Sequence, residues 1–291
     1  MQGLIISNIS NTYNVKINDV IYKCNARGKF KNEEISPVVG DNVEILVTDE
    51  EKKEAVIEKI LSRKVYLKRP KIANITQIIC VISSKNPKPD LLMLDKQLAY
   101  AEYIGINPVI LINKLDLNKE VQEIKDTYGK IGYKVILTTA KEKEGIEELR
   151  EVLKNNISAF SGNSGVGKST LINGLFNSNI SDEGVISSKN KKGKNTTTNI
   201  SLYELEENSY IADTPGFSTF DIYEIKSEEL AKYFIEFKEY ISKCEYVGCS
   251  HIKEENCGVK EALNDNKISK ERYDRFIKIY NDIKDKEDHR W

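Results

Sequence analysis

The chain has 291 residues, is 40% hydrophobic and 31% charged, and carries a formal net charge of −1. That length allows about two or three domains, and the balanced charge excludes a global signature of nucleic-acid binding, so any RNA contact must come from local patches. No run of about 18 apolar residues is present, and the first residues lack the basic and cleavage features of a signal peptide, so a cytoplasmic protein without membrane association is expected.

Residues 1–70 read as a small all-β module. Short alternating runs around Leu4–Ile6, Tyr13–Ile17, Val20–Tyr22, Val43–Val47 and Ala55–Ile60 are separated by turn signals such as Asn18-Asp19 and Gly40-Asp41. This spacing predicts a small barrel, of which an OB-fold is the best example; a generic β-barrel without a nucleic-acid role has the same pattern. Arg27, Lys29, Phe30 and Lys31 interleave basic residues with an aromatic, as surfaces that contact phosphates and stack bases do. Glu33 and Glu34 follow at once, so a solvated loop fits equally well.

From Asn74 strands alternate with helices, which predicts a mostly parallel sheet covered on both faces. Residues 75–83 are a largely apolar run, unbroken over 78–82, suited to a buried strand. A helix is expected over 90–104, with Asp90 as N-cap and Leu91, Leu94, Leu98 and Ala101 on one face. A strand over 108–112, a charged helix over 119–128, a strand over 134–138 and a helix over 145–154 follow. A strand over 157–160 then leads to a helix over 170–176. Residues 199–205 and 209–212 predict an antiparallel hairpin. Beyond about residue 225 the pattern is helical, with helices over 228–240, 259–264 and 269–286 and one cysteine-rich break.

The strand at 157–160 runs into Gly162-Asn163-Ser164-Gly165-Val166-Gly167-Lys168-Ser169-Thr170, the G-x-x-x-x-G-K-S pattern of a phosphate-cradling loop. Glycines let the backbone close around a polyphosphate, and the loop amides and following helix N-terminus donate to it. Lys168 is placed to reach the β- and γ-phosphates and Ser169 to face Mg²⁺. Upstream, Asn113-Lys114-Leu115-Asp116 ends the strand at 108–112. There the Asp116 carboxylate can accept from N1–H and the exocyclic amine of guanine, a pair that adenine lacks, and sites built on such bonds discriminate strongly. Asn113 would brace the loop, and the Lys114 stem would cover the base. Thr138-Thr139-Ala140-Lys141, at the next strand end, fits a short loop that backs the base through backbone amides. Asp213-Thr214-Pro215-Gly216 ends the hairpin. Asp213 is placed to hold Mg²⁺ through water, and the Gly216 amide to touch a γ-phosphate. Among Thr196, Thr197 and Thr198, Thr198 is the expected additional Mg²⁺ ligand; these threonines also read as a plain strand start. Segments ordered by γ-phosphate and Mg²⁺ form the usual GTPase switch.

Cys244, Cys249, His251 and Cys257 fall within fourteen positions. In a cytosolic chain this predicts a closed Cys₃His zinc site with a structural role. Cys24 and Cys80 lie on predicted strands and are expected as buried free thiols.

The guanine-reading motif precedes the phosphate loop, the reverse of the ordinary GTPase order, so the domain is circularly permuted. This order, between an N-terminal barrel and a Cys₃His module, resembles the ribosome small subunit-dependent GTPase A family (RsgA/YjeQ type). The resemblance runs nearly end to end through Arg27-Gly28-Lys29-Phe30, Pro37-Val38-Val39-Gly40-Asp41, Arg69-Pro70, Ala73-Asn74 and the motifs above, with Phe217 after the DTPG. It implies an OB-fold over 1–70 that contacts ribosomal RNA, a permuted α/β P-loop GTPase domain over 71–222 and a helical zinc-binding domain over 223–291. It also implies GTP hydrolysis stimulated by the small ribosomal subunit during its late maturation. On this reading GTP favours docking and hydrolysis favours release, and the chain is expected to bind GTP and GDP as a monomer.

One departure stands out. The family usually carries a His before the three threonines, where this chain has Asn195, and Phe217 occupies the place of the water-orienting Gln of Ras-like enzymes. Asn195 can hydrogen-bond a water but cannot act as a base. Slow intrinsic turnover is therefore expected, with the ribosome, a potassium ion or a backbone group completing the site. The rival reading is a GTP-dependent RNA-binding adaptor with negligible hydrolysis; an ATPase is a third.

Overall fold

The computed structural model describes residues 1–9, 12–31, 35–68, 70–118, 121–139, 144–176, 200–213 and 222–289. The chain forms two compact units. One comprises Met1–Ile79, Gly145–Phe160 and Lys168–Phe217, and the other Cys80–Glu144, Ser161–Gly167 and Ser218–Trp291.

In chain order the strands of the N-terminal region are β1 (Gln2–Ile9), β2 (Thr12–Ile17), β3 (Val20–Ala26), β4 (Asn42–Asp49), β5 (Glu54–Ile60), β6 (Tyr66–Lys68) and β7 (Lys71–Ala73). Antiparallel pairing joins β1 to β2 and β2 to β3, β3 runs parallel to β5, β5 pairs antiparallel with β4, and β4 returns to β1. The ring closes as 1-2-3-5-4-1, the barrel expected from the alternating runs. Alternation sends Ile5, Val15, Cys24, Val43, Ile45, Ala55 and Ile57 inward, all buried. Burial pushes the Cys24 thiol up to about 11, so it stays a neutral core residue.

The strand pair β6–β7 is fastened to this barrel by one polar cluster. Asp41 is fully buried; its Oδ1 accepts from Arg63 Nε at 2.7 Å and its Oδ2 accepts from Arg63 Nη2 and the Val38 amide, both at 2.8 Å. Asn74 completes it: its Nδ2 donates to the Gly40 carbonyl at 2.9 Å, and its Oδ1 accepts from the Lys64 amide at 2.9 Å. The motif residues Gly40, Asp41 and Asn74 thus hold local structure. Phe30, for which a stacking surface and a solvated loop stand as equal expectations, is buried at 8% exposure in the short 3₁₀ turn Gly28–Lys31, which fits neither. Arg27 pairs with Glu58 at the surface.

The same unit holds α3 (Ile146–Leu153), β11 (Ile157–Ser161, through Phe160), α4 (Lys168–Leu175), β12 (Ser201–Glu206) and β13 (Ser209–Asp213). Strand β11 runs parallel to β13, and β13 pairs antiparallel with β12 across a turn at Asn208, as the hairpin pattern predicts. Strand β12 also meets barrel strand β1 at Ser201 and Ser7. Arg150 of α3 donates to the Leu175 carbonyl at the end of α4 at 2.6 Å.

In the other unit, β8 (Gln77–Ser83), of which residues 80–83 belong here, is buried along its whole length, as the apolar run requires. Helix α1 (Leu91–Ile104) starts at the Asp90 cap, whose Oδ1 accepts from the Met93 amide, and stops at Gly105 in the left-handed region. Strand β9 (Asn107–Asn113) and β10 (Lys134–Leu137) are parallel, joined through α2 (Gln122–Ile131). Helix α2 ends at left-handed Gly132, later than the Tyr128 expected. The helix expected over 228–240 is broken: 3₁₀ turns span Ser227–Tyr233 and Ile235–Phe237, and α5 is only Lys238–Ile241. Phe234 adopts an extended backbone and is fully buried, with its ring 5.1 Å from Phe276. Aromatic packing here overrides a segment rich in good helix formers, Leu, Ala, Glu and Lys. Helices α6 (Gly258–Asn264) and α7 (Lys270–Asp288, capped by the Ser269 hydroxyl) complete the unit. No helix among the described residues is long and apolar enough to cross a membrane.

Replacing Asp41 by Ala leaves Arg63 without its buried partner, and loss of one member of such a pair costs about 3 kcal/mol. Urea unfolding should show this loss for Asp41→Ala, whereas removal of the surface partner in Glu58→Ala should cost under about 1 kcal/mol.

Candidate nucleotide-binding and metal sites

The phosphate loop leaves β11 at Ser161. Gly162 has φ +144°, and a Cβ there would lie 2.2 Å from the Val81 carbonyl oxygen, so this close approach of loop to strand admits no side chain. Gly167 has φ +98°, and a Cβ would lie 2.3 Å from Asn113 Nδ2. That amide is the brace of the loop: Asn113 is buried, its Nδ2 donates to the Val166 carbonyl at 2.9 Å, and its Oδ1 accepts from Thr138 Oγ1 at 3.3 Å. Lys114 follows in the left-handed region, φ +66°, and its ammonium donates to the carbonyls of Asn86 and Gly165, the latter at 2.6 Å. The Leu115 amide donates to the Thr138 carbonyl, and the Thr139 amide to the Glu144 carbonyl. Asn113, Lys114, Leu115 and Thr138 therefore tie the ends of β9 and β10 to residues 165–166 of the loop. Asp116, Ser164 and Gly165 face solvent, and Leu115 and Val166 are buried.

The loop has a second set of supports that the motifs do not reveal. Asn163 Nδ2 donates to Asp90 Oδ2 at 3.0 Å, and Gln97 Nε2 donates to Ser161 Oγ at 2.8 Å. Sequence reading assigned Asp90 only as a helix cap. The missed signal was Gln97, seven residues on and on the same helical face, polar where the stripe is apolar.

In the other unit Lys168 opens α4, directly after Gly167 in the chain. Burial pushes the Lys168 ammonium down from the usual lysine value, an unfavourable setting for a cation that a polyphosphate would relieve. Ser169 and Thr170 are exposed at the start of that helix. Asp213 ends β13. Ala140, Lys141, Asn195, Thr196, Thr197, Thr198, Gly216 and Phe217, and the side chain of Asp213, lie outside the described residues.

Cys244, Cys249, His251 and Cys257 converge, with their ligand atoms all within 4.8 Å of one another. His251 Nδ1 lies 3.5 Å from Cys244 Sγ and 3.3 Å from Cys257 Sγ, and the two sulfurs are 3.9 Å apart. A tetrahedral zinc site with Zn–S bonds of about 2.3 Å has edges of about 3.8 Å between sulfurs, so the cluster is consistent with zinc and could hold a metal ion. The chemistry of the set agrees. Burial, with the neighbouring sulfurs, pushes the Cys249 thiol up to about 12, and burial pushes His251 down to the neutral form that ligates. A cation at the centre would favour the thiolate form of Cys249 and Cys257 that burial opposes. The loop has its own clasp, in which Glu254 accepts from the amides of Ser250, Ile252 and Lys253 and from the Ser250 hydroxyl. Burial opposes ionisation of Glu254, but these donors overcome it and hold the carboxyl near about 2. Cys24 and Cys80 are buried free thiols apart from this group.

A parallel β-strand, phosphate loop and helix with a guanine-type Asn-Lys-x-Asp ahead of them in the chain define a circularly permuted P-loop GTPase, here with an OB-like barrel in front and a Cys/His cluster behind. Family models agree: one described as RsgA GTPase matches residues 60–223, and one described as RsgA N-terminal domain matches residues 2–57. The chain belongs to the RsgA GTPase family and is a GTP-hydrolysing enzyme. It is 41% identical over 285 residues to the small ribosomal subunit biogenesis GTPase RsgA of Alkaliphilus metalliredigens, covering 97% of this chain and 98% of that one. The protein of the same name from Clostridium acetobutylicum is 44% identical over 285 residues, at 97% and 98% coverage. Among solved structures, YjeQ from Thermotoga maritima superposes with a TM-score of 0.84 at 36% identity, covering 97% of this chain and 98% of that one. YloQ, a circularly permuted GTPase, gives 0.82 at 30% identity, covering 98% and 95%.

Stripping metal with a chelator should lower the thermal midpoint by about 5 °C or more, because metal binding to a preformed cluster is folding free energy. Elemental analysis of the purified chain and of Cys257→Ser checks the stoichiometry; an unchanged midpoint after complete metal loss would mean that the loop's own hydrogen bonds suffice.

Proposed function

We propose that the chain is a GTP hydrolase that binds the small ribosomal subunit and its rRNA, acts in late maturation of that subunit, and is released as GTP is hydrolysed. The observation that carries the nucleotide reading is the pair of bonds from Asn113 to Val166 and from Lys114 to Gly165, which lock the guanine-selecting segment to the phosphate loop. The subunit reading rests on the names of relatives that match along nearly the whole chain. Three functional modules are proposed, over 1–70, 71–222 and 223–291. The protein is taken to work as a cytoplasmic monomer.

Asp116 reads guanine, backed by Thr139, Ala140 and Lys141, while residues 162–170 wrap the phosphates and Lys168 meets the β- and γ-groups. Ser169, Thr198 and, through water, Asp213 would hold Mg²⁺, which would supply positive charge beside the phosphates. Gly216 senses the γ-phosphate. Cys244, Cys249, His251 and Cys257 hold a structural zinc. Asn195 orients the attacking water by hydrogen bonding alone, and the ribosome, a potassium ion or a backbone group completes the site. The family's GTPase activity does not favour a non-hydrolysing adaptor.

Purified small subunits should raise GTP turnover by at least about tenfold, as partners that complete a GTPase site in trans do; turnover indifferent to subunits would restore the adaptor reading. Asp116→Asn should weaken GTP binding by about 100-fold and favour xanthosine triphosphate; an unchanged base preference would remove Asp116 from the site.

A further inference from the structure

The phosphate loop is held from one side by the guanine-type motif and from another by α1. Asp90 caps α1 with one carboxylate oxygen and accepts from Asn163 with the other, at 2.9 and 3.0 Å. Gln97, 1% exposed, donates to Ser161. These two contacts flank Gly162, where the loop leaves its strand. Asp90 and Gln97 are seven positions apart and share a helical face; Asp95 points away from that face.

Asp95 is fully buried and meets the C-terminal region. It accepts from Arg272 and Arg275 of α7, and from Tyr128 Oη at 2.6 Å. Arg272 is 1% exposed, pairs also with Glu236, and lies 4.8 Å from the Phe234 ring centroid and 5.3 Å from that of Tyr128. Burial alone would push its guanidinium down, but the carboxylates of Asp95 and Glu236 outweigh this and hold it well above its ordinary value. A buried charge cluster adds little stability over apolar residues of the same size. What it adds is direction: bonds from two guanidinium forks to one carboxylate define where α1 sits along and around its axis.

We propose that α1 is a positioning element through which α7 sets the phosphate loop. Asp95 takes the position of α7 from Arg272 and Arg275, and Asp90 and Gln97 pass it to Asn163 and Ser161. This rests on the nucleotide-site reading above, and it makes the C-terminal region a determinant of nucleotide affinity without contact to nucleotide. By linkage, nucleotide on the loop strengthens the hold of α7 on α1 by the same factor.

The test is a double-mutant cycle on the full chain, read as the Kd of a fluorescent GDP analogue and as the thermal midpoint. Asp90→Ser keeps a capping oxygen but cannot reach Asn163; with Gln97→Leu it forms the uncoupled background. Arg275→Met should weaken binding about fivefold in the otherwise unchanged chain and less than twofold in that background, while lowering the midpoint equally in both. Arg275→Lys, which can still reach Asp95, should recover most of the affinity. An equal loss of affinity in both backgrounds, or a lowered midpoint with unchanged affinity, would overturn the proposal and leave the cluster a purely structural one. If Arg275→Met does not fold, the same comparison is made with Arg275→Gln, which removes the charge paired with Asp95: a loss confined to the unchanged chain supports the proposal, and an equal loss or no loss overturns it. Failure of the underlying site reading looks different: the unsubstituted chain would not bind the analogue, or Lys168→Ala would bind it as tightly.

Discussion

A buried primary amide orders much of the candidate site. Asn113 sits at the end of β9 with its donor on the Val166 carbonyl and its acceptor on the Thr138 hydroxyl. Its own backbone carbonyl accepts from the Ser84 amide at 2.8 Å. Three segments far apart in sequence are thereby held by one residue whose polar atoms must all be satisfied, since an unpaired buried amide is costly. Gly167 follows from this: the space that its Cβ would need is occupied by that amide. The glycine pattern of the loop is thus in part a record of what packs against it.

The two units divide the GTPase motifs between them. The phosphate loop through Gly167, the guanine-type motif and the cysteine cluster fall in one unit, while the barrel, α4 and the hairpin ending at Asp213 fall in the other. The barrel is joined to the hairpin by pairing of β1 with β12 at Ser7 and Ser201, so the strand that leads to Asp213 is in register with the N-terminal module. Each flanking module is therefore built onto a different part of the GTPase fold by backbone or buried polar contacts within its own unit.

Much of this was legible in the sequence because the signals are local. Alternation at Tyr13–Ile17 and the apolar run before Ser83 dictated strands, and the capping Asp90 and left-handed Gly105 bracket α1 as the residue types demand. The cysteine cluster was readable because scarce residues fell close together. What escaped is tertiary. Phe30 between two lysines has the look of an exposed residue, yet it is buried. The 228–240 segment has helical periodicity, but Phe234 is fully buried with an extended backbone and interrupts it. Arg272, which no motif singles out, lies on the buried face of α7, four residues from Phe276 and seven from Ile279.

Asp90 illustrates how a position can be constrained twice. One oxygen closes the first turn of a helix and the other closes the neck of the phosphate loop. Serine or asparagine could do the first, and a longer acid could be steered to the second, but the reach of a single methylene suits both at once. Such a residue has no neutral path of change: any drift that preserves one contact disturbs the other. Its identity thus rests on two acceptor oxygens at one reach, one for the helix and one for the loop.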